Sequence, residues 1–195
     1  MHRATERNNV EMIAQRSLFP DPFRSALMEN GVSSGKDVLD RHFDFENGSL
    51  LGAVGGVNTG DSLAAVKTLI YDQKKYTMSE LLAALDANWE GYEEMQADFI
   101  NAPKYGNNDD LPDQLVAEVY KFFADTCHRM DTAYGGKVTP NAISISAHQP
   151  GGACTGATPD GRRTGEILAD ASLSPDHGKD HNGPLDVLLS AMKVD

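Results

Sequence analysis

Few side chains in this sequence could do chemistry, and each has a rival structural reading. The only thiols are Cys127 and Cys154. Cys127 falls on the apolar side of a helical pattern and reads as core, as free cysteine often is. Cys154 stands in a glycine-rich loop, a small thiol that could reach a pocket rim. Asp176-His177 and Asp180-His181 repeat an acid–imidazole pair. Their composition suits zinc, but the spacing is looser than that of closed zinc sites, and the reading is no metal. His148 follows Ile143-Ser144-Ile145-Ser146-Ala147, whose strict alternation puts the isoleucines on one face and the serines on the other. An acid–base role for His148 competes with that of a hydrogen-bonded structural histidine.

The densest feature is Thr155-Gly156-Ala157-Thr158-Pro159-Asp160-Gly161-Arg162-Arg163-Thr164-Gly165-Glu166. It holds almost nothing apolar and cannot pack as a core element. Pro159-Asp160-Gly161 is a turn with a mechanism, since Pro sets φ and Gly accepts positive φ. Arginine suits bidentate pairing, so Asp160, Arg162, Arg163 and Glu166 read as a network that fixes the loop, with direct substrate contact the alternative. With residues 169–184, about thirty residues of loop chemistry lie together, a length that is usually functional.

These side chains need elements to position them. Residues 5–18 have a helical pattern with a modest apolar stripe of Val10, Ile13, Ala14 and Leu18, which Pro20 and Pro22 end. A short helix is expected over 22–30, stopped at Asn30-Gly31. Residues 33–60 read as mostly irregular, with Gly48, Gly52, Gly55, Gly56 and Gly60 favouring close backbone approach. Asp61 is expected to cap a helix over 62–72. Thr77-Met78-Ser79-Glu80 is a capping box opening a helix to about Phe99 along Leu81, Leu85, Trp89, Tyr92 and Met95. Pro112 opens a helix over 112–131 that buries Leu115, Val119, Phe122, Phe123, Cys127 and Met130. His128 is expected on its surface. Residues 142–147 are a strand candidate, and 185–192 a short final helix. The pattern is α/β, mostly helical with few strands.

The charge balance narrows the partners. Net charge is −12 with no basic cluster, which argues against nucleic acid and anionic membrane. No apolar run reaches the ~20 residues that span a bilayer. The N-terminus is charged without an apolar segment behind it, unlike a secretory signal. Two cysteines in such a chain point to a reducing cytoplasm and free thiols, with one disulfide left open.

Three blocks resemble one family. They are Asp61-Ser62-Leu63-Ala64-Ala65-Val66-Lys67, then Asn101-Ala102-Pro103-Lys104-Tyr105-Gly106-Asn107-Asn108-Asp109-Asp110, then residues 155–166 with the LADASLSPDHGKDHNGP run that follows. In this order they are similar to the C-terminal half of the glycyl radical enzymes, the pyruvate formate-lyase group with its dehydratases, decarboxylases and lyases. The resemblance covers the chain from about Phe19 onward.

What the resemblance implies is specific. The fold would be a partial segment of a ten-stranded α/β barrel, with residues 1–195 one part of a single barrel domain. The family's thiyl-forming Cys-x-Glu loop and radical-storing Arg-Val-x-Gly-Tyr loop are absent here, so the chain is expected to be an internal fragment, inactive alone, that itself binds no cofactor. Cys154 runs into Thr155-Gly156 instead. Gly91-Tyr92 lacks the Arg-Val and is expected to lie mid-helix. The intact enzyme would carry a glycyl radical installed by a radical SAM activating enzyme, act on a small organic substrate, and form a homodimer. The strand holding Ile143, Ser144, Ile145 and His148 would face substrate, with Ile143 and Ile145 an apolar wall that favours an aryl or alkyl group over a polyol. Pro103, Lys104, Tyr105 and Asn107, with Asp109, would lock two helices together, and Asp160, Arg162 and Arg163 would fix the neighbouring loop. Leu168-Ala169-Asp170-Ala171 resembles the dehydratase branch's LADG more than the formate acetyltransferase turn, although Ala171 departs from its glycine. A barrel-derived, non-catalytic binding module is the rival reading.

Overall fold

Glycines 56 and 60 explain the packing of one helix pair, their own helix against the one that carries Val116 and Tyr120. The computed structural model describes residues 2–38, 50–133 and 135–194. Helix α4 spans Gly56–Val66, so it starts six residues before Ser62, the start that Asp61 as a cap would give. A Cβ on Gly56 would stand 2.9 Å from the Tyr120 ring, and one on Gly60 would stand 2.3 Å from Cγ2 of Val116. The glycines read as loop are thus where two helices touch, and the close approach expected of them occurs inside a helix. Gly48 lies outside the described residues. Asp61 sits in the helix interior, fully buried.

Two compact units divide the chain. The first comprises Met1–Leu51 and Ala124–Pro140. It holds α1 (His2–Leu18), α2 (Pro22–Leu27), α3 (Gly31–Ser34) and the paired strands β1 (Leu50–Gly52) and β2 (Thr139–Asn141), which end at its boundary. Asp21 caps α2 by accepting the Arg24 N–H at 3.0 Å. That helix stops at Leu27, and Asn30, with φ 57°, opens α3 instead of closing a longer helix. On α1, Thr5 donates to Sδ of Met130 and Asn9 to the carbonyl of Asp131, while Val10, Ile13 and Leu18 are exposed.

The second unit comprises Gly52–Phe123 and Asn141–Asp195. After α4, residues Lys67–Asp72 continue as a π-helical turn. Then come α5 (Met78–Asp86), α6 (Glu93–Asn101), α7 (Asp110–Cys127, which runs past the unit's edge), α8 (His148–Ala153) and α9 (Pro184–Ala191). The capping box forms as read: Thr77 N–H donates to Glu80 at 2.8 Å, and the Glu80 N–H returns to Thr77 at 3.2 Å. One core cluster packs Ala65, Leu69, Leu81, Trp89, Met95 and Phe99, with the Trp89 and Phe99 rings 5.5 Å apart. A second packs Val57, Tyr105, Val116, Tyr120 and Ala169.

Several expectations change. The helix over 77–99 is broken, because Asn88 (φ 53°) and Trp89 (φ 64°) take left-handed conformations and Gly91 (φ 81°) follows. Gly91 is therefore a turn residue between two helices. Helix α7 starts at Asp110 and buries Val116, Tyr120 and Cys127, whereas Leu115, Val119 and Phe123 are half-buried and Phe122 is exposed. Met130 is buried and His128 exposed, both beyond the helix end. Residues 142–145 form no strand. Pairing stops at Asn141, since among the described residues β1 is the partner and it is three residues long. His148 opens α8 and does not end a strand.

Candidate functional site

A loop this polar holds one shape only if its donors and acceptors are spent internally. Arg162 does that for residues 155–166. It is 6% exposed, and all five of its N–H donors are used. Nε donates to Thr158 Oγ1 at 3.2 Å, Nη1 to the carbonyls of Arg163 at 3.1 Å and Glu166 at 2.6 Å, and Nη2 to those of Thr155 at 3.2 Å and Gly156. No donor is left for a substrate. The turn closes as expected, with Gly161 N–H donating to Thr158 O at 3.1 Å and φ of Gly161 at 97°. A Cβ there would meet Cγ1 of Ile100 at 2.4 Å.

The loop is then fastened to the helices. Trp89 Nε1 donates to the Arg162 carbonyl at 3.2 Å, and Gln96 Nε2 to that of Gly161 at 2.8 Å. Arg163 reaches Gln96 Oε1 at 2.8 Å, and Asn88 Oδ1 accepts the Thr164 N–H at 2.7 Å. The left-handed Asn88-Trp89 turn thus exists to grip this loop. From α4, Asn58 donates to Asp160 Oδ2 and accepts from the Ala169 N–H, each at 2.7 Å.

The Pro103–Asn107 stretch is a second clamp. Pro103 ends α6, and Lys104 folds back to donate to the Phe99 carbonyl at 2.7 Å and the Ala102 carbonyl at 3.3 Å, placing a cation at a helix C-terminus. Asn107 donates to the carbonyls of Lys104 and Lys179 and accepts the N–H of His181 and Asn182, so it ties this stretch to residues 179–182. The Asp109 carboxylate accepts the Leu111 N–H at 3.0 Å, at the start of α7. Asp61 Oδ1 accepts the Tyr105 N–H at 2.8 Å, and Oδ2 has no protein partner. Burial pushes the Asp61 carboxyl up to about 7, against the Tyr105 hydrogen bond and the Lys104 charge. Burial likewise lowers Lys104, and the Asp61 and Asp160 charges oppose that.

The proposed pocket residues lie on the surface of this scaffold. Ile143 and Ile145 are 46% and 42% exposed. Ser144 donates to Asp170 at 2.6 Å. His148 Nδ1 donates to the Ile145 carbonyl at 2.9 Å, since a carbonyl only accepts, and Nε2 takes no part in that bond. The His148 and His177 rings stand 5.7 Å apart, and His177 lies 3.5 Å from Asp176. His181 is held through its backbone N–H, which donates to Asn107 Oδ1, so the repeated acid–imidazole pairs are not held alike. Among the described residues, no three His, Cys, Asp or Glu side chains converge on a metal-sized site. Cys154 is exposed and Cys127 buried, both free thiols. A cavity of about 420 Å³ opens between Ile100, Asp160, Arg162, Asp176, His177 and Lys179, and Ile143 and Ile145 are not part of its lining. Asp170, which carries Ser144, was not a sequence candidate. Its only signal was position within the LADASLS run.

Comparison with known proteins identifies the family and the fold. The pyruvate formate lyase-like family matches residues 1–152. An indoleacetate decarboxylase from Tractidigestivibacter scatoligenes is 34% identical over 96% of this chain and 24% of its own length. The glycerol-bound B12-independent glycerol dehydratase from Clostridium butyricum superposes with a TM-score of 0.88 at 37% identity, again over 96% of this chain and 24% of that one. A glycyl radical enzyme from Archaeoglobus fulgidus gives 0.90 at 30% identity, over 98% of this chain and 24% of that one. The chain spans about a quarter of the length of the relatives it matches. No helix among the described residues is long and apolar enough to cross a membrane. The expected fold, a partial segment of the family's barrel, is the one found, and this chain belongs to the pyruvate formate lyase-like family of glycyl radical enzymes.

Proposed function

We propose that this chain forms one part of the barrel domain of a radical lyase, dehydratase or decarboxylase and supplies one wall of its substrate pocket. The observation that carries this is the contrast inside the second unit. Residues 155–166 and Pro103–Asn107 are spent on internal hydrogen bonds, while Ile143, Ile145 and Ser144 stand exposed on the scaffold so fixed. Rigid support beneath an open segment is the arrangement a binding wall requires. Ile143 and Ile145 exclude water from an apolar part of a small organic substrate, Ser144 offers a polar contact, and His148 places an imidazole at the same edge. Arg162, Arg163 and Lys104 hold the geometry and do not touch substrate.

The radical chemistry belongs to the whole enzyme. A glycyl radical, installed by a radical SAM activating enzyme, would supply hydrogen abstraction from substrate, with cleavage of a C–C, C–O or C–N bond to follow. A homodimer working in an anaerobic cytoplasm completes the reading. Its test compares the 195-residue chain with the full-length protein, each activated under anoxia. The full-length protein is expected to show a glycyl radical signal and turnover, and the chain alone neither. Turnover by the chain alone would overturn the reading.

A further inference from the structure

The direction of one hydroxyl proton restricts what the pocket wall accepts. Ser144 Oγ lies 2.6 Å from Oδ2 of Asp170, and an ionised carboxylate only accepts, so the Ser144 proton is committed to Asp170. Oδ1 of Asp170 is committed too, taking the Ser172 N–H at 2.9 Å and the Ser172 hydroxyl. Ser174 donates to Ser172 in turn, through its N–H at 3.1 Å and its hydroxyl at 2.9 Å. The Tyr120 hydroxyl anchors the Ser172 carbonyl at 2.7 Å. Every hydroxyl proton of the three serines runs toward Asp170. Burial works to raise the Asp170 carboxyl, but the hydrogen bonds from Ser144 and Ser172, with His148 nearby, hold it below the usual range.

Ser144 therefore presents only lone pairs outward, with a negative charge behind it. Such a group takes a hydrogen bond from a hydroxyl or an ammonium and repels a carboxylate or sulfonate. We propose that Asp170 is a positioning residue that fixes Ser144 as a pure acceptor, so that this wall selects a substrate presenting a hydroxyl or ammonium donor and rejects one presenting an anionic group there. The proposal rests on the reading of residues 143–148 as pocket wall. It adds a polar requirement to the apolar one of Ile143 and Ile145, because the substrate must place a donor beside its carbon skeleton.

Propane-1,2-diol and propanoate separate the alternatives, being similar in size, the first a neutral hydroxyl donor and the second an anion with no donor. Their binding to the full-length protein is measured by calorimetry without radical activation. The wild type is expected to prefer the diol. In Asp170→Asn the amide oxygen keeps the two Ser172 donors and the amide N–H turns to Ser144, which swings the Ser144 proton outward. The diol-to-propanoate preference is then expected to fall by about tenfold or more, with propanoate binding gaining. Ser144→Ala removes the acceptor and is expected to lower the same ratio by weakening the diol alone. Melting temperatures check that both variants fold, and Ser144→Ala decides the matter where Asp170→Asn does not. An unchanged ratio in folded variants, a wild type preferring propanoate, or no binding of either probe overturns the proposal. Activation plays no part in the binding, so a failed radical turnover leaves this result standing and sinks only the radical reading.

Discussion

Asp61→Asn is the substitution that tests the central clamp most directly. The Asp61 carboxyl is fully buried, with one oxygen on the Tyr105 N–H and the other unpartnered. Burial raises it from an ordinary 3.8 to about 7. The native state therefore holds a proton that the unfolded chain has already released, and the sign follows. This contribution is whole below about pH 4, falls as pH rises, and is gone above about pH 7. Across that pH window, at about 1.4 kcal/mol for each pH unit, the loss comes to about 4 kcal/mol, an upper figure for a group that shares its surroundings with Lys104, Asp160 and Asp176. Asparagine mimics the protonated acid: its oxygen takes the Tyr105 N–H, and its N–H₂ is left without an acceptor at a cost of about 1–3 kcal/mol. The variant is expected to melt lower than the wild type at pH 5 and to match or exceed it at pH 8, with each 1 kcal/mol worth about 2–4 °C in a chain of this size. Asp98, Asp170 and Glu80, whose carboxyls sit below the usual range, titrate in both proteins and cancel in the difference. Thermal melts of both proteins from pH 4 to 9 decide it. A difference that does not change with pH would refute the argument that Asp61 is held protonated.

Other outcomes follow from the same geometry. Arg162→Lys keeps the charge but cannot reproduce a five-donor fork, so it is expected to cost about 3 kcal/mol in urea unfolding. A change below about 0.5 kcal/mol would mean the loop is held by other contacts. In the full-length enzyme, Ile143→Tyr is expected to lower kcat/KM for the native substrate by about tenfold or more while leaving the melting temperature within a few degrees, because the side chain is on the surface of its unit. An unchanged kcat/KM removes Ile143 from the pocket wall.

How far the residues spoke for themselves depended on how local their physics was. The Thr77 capping box and the Pro159-Asp160-Gly161 turn are decided within four residues, and both form as read. Asn88 and Trp89 went unseen because nothing in a tryptophan signals a left-handed backbone. Its reason lies 73 residues away, in the Arg162 carbonyl its indole meets. Gly56 and Gly60 misled for a related reason. Glycine reads as loop until one knows that Tyr120 and Val116 need the space a Cβ would fill. On α7 the expected face is partly right: Cys127, with Met130 beyond the helix end, is buried, but Val116 and Tyr120 take the centre because the glycines of α4 make room for them. The alternation over 142–147 marks a surface suited to pairing, but pairing needs a neighbour, and β1 reaches only as far as β2 extends. Asp170 was invisible because its role is to aim another residue's proton.

Trp89 also makes the molecule its own instrument. It is the one tryptophan of the chain, fully enclosed, and its indole N–H is bonded to the backbone of the loop at residues 155–166. Its emission is therefore expected to be that of a single tryptophan shielded from water, shifted to short wavelength. Any event that lifts the loop from α5 and α6 wets that ring before it disturbs the rest of the core. Loosening of the loop can thus be followed optically, in unlabelled protein and in real time, separately from unfolding of the helices.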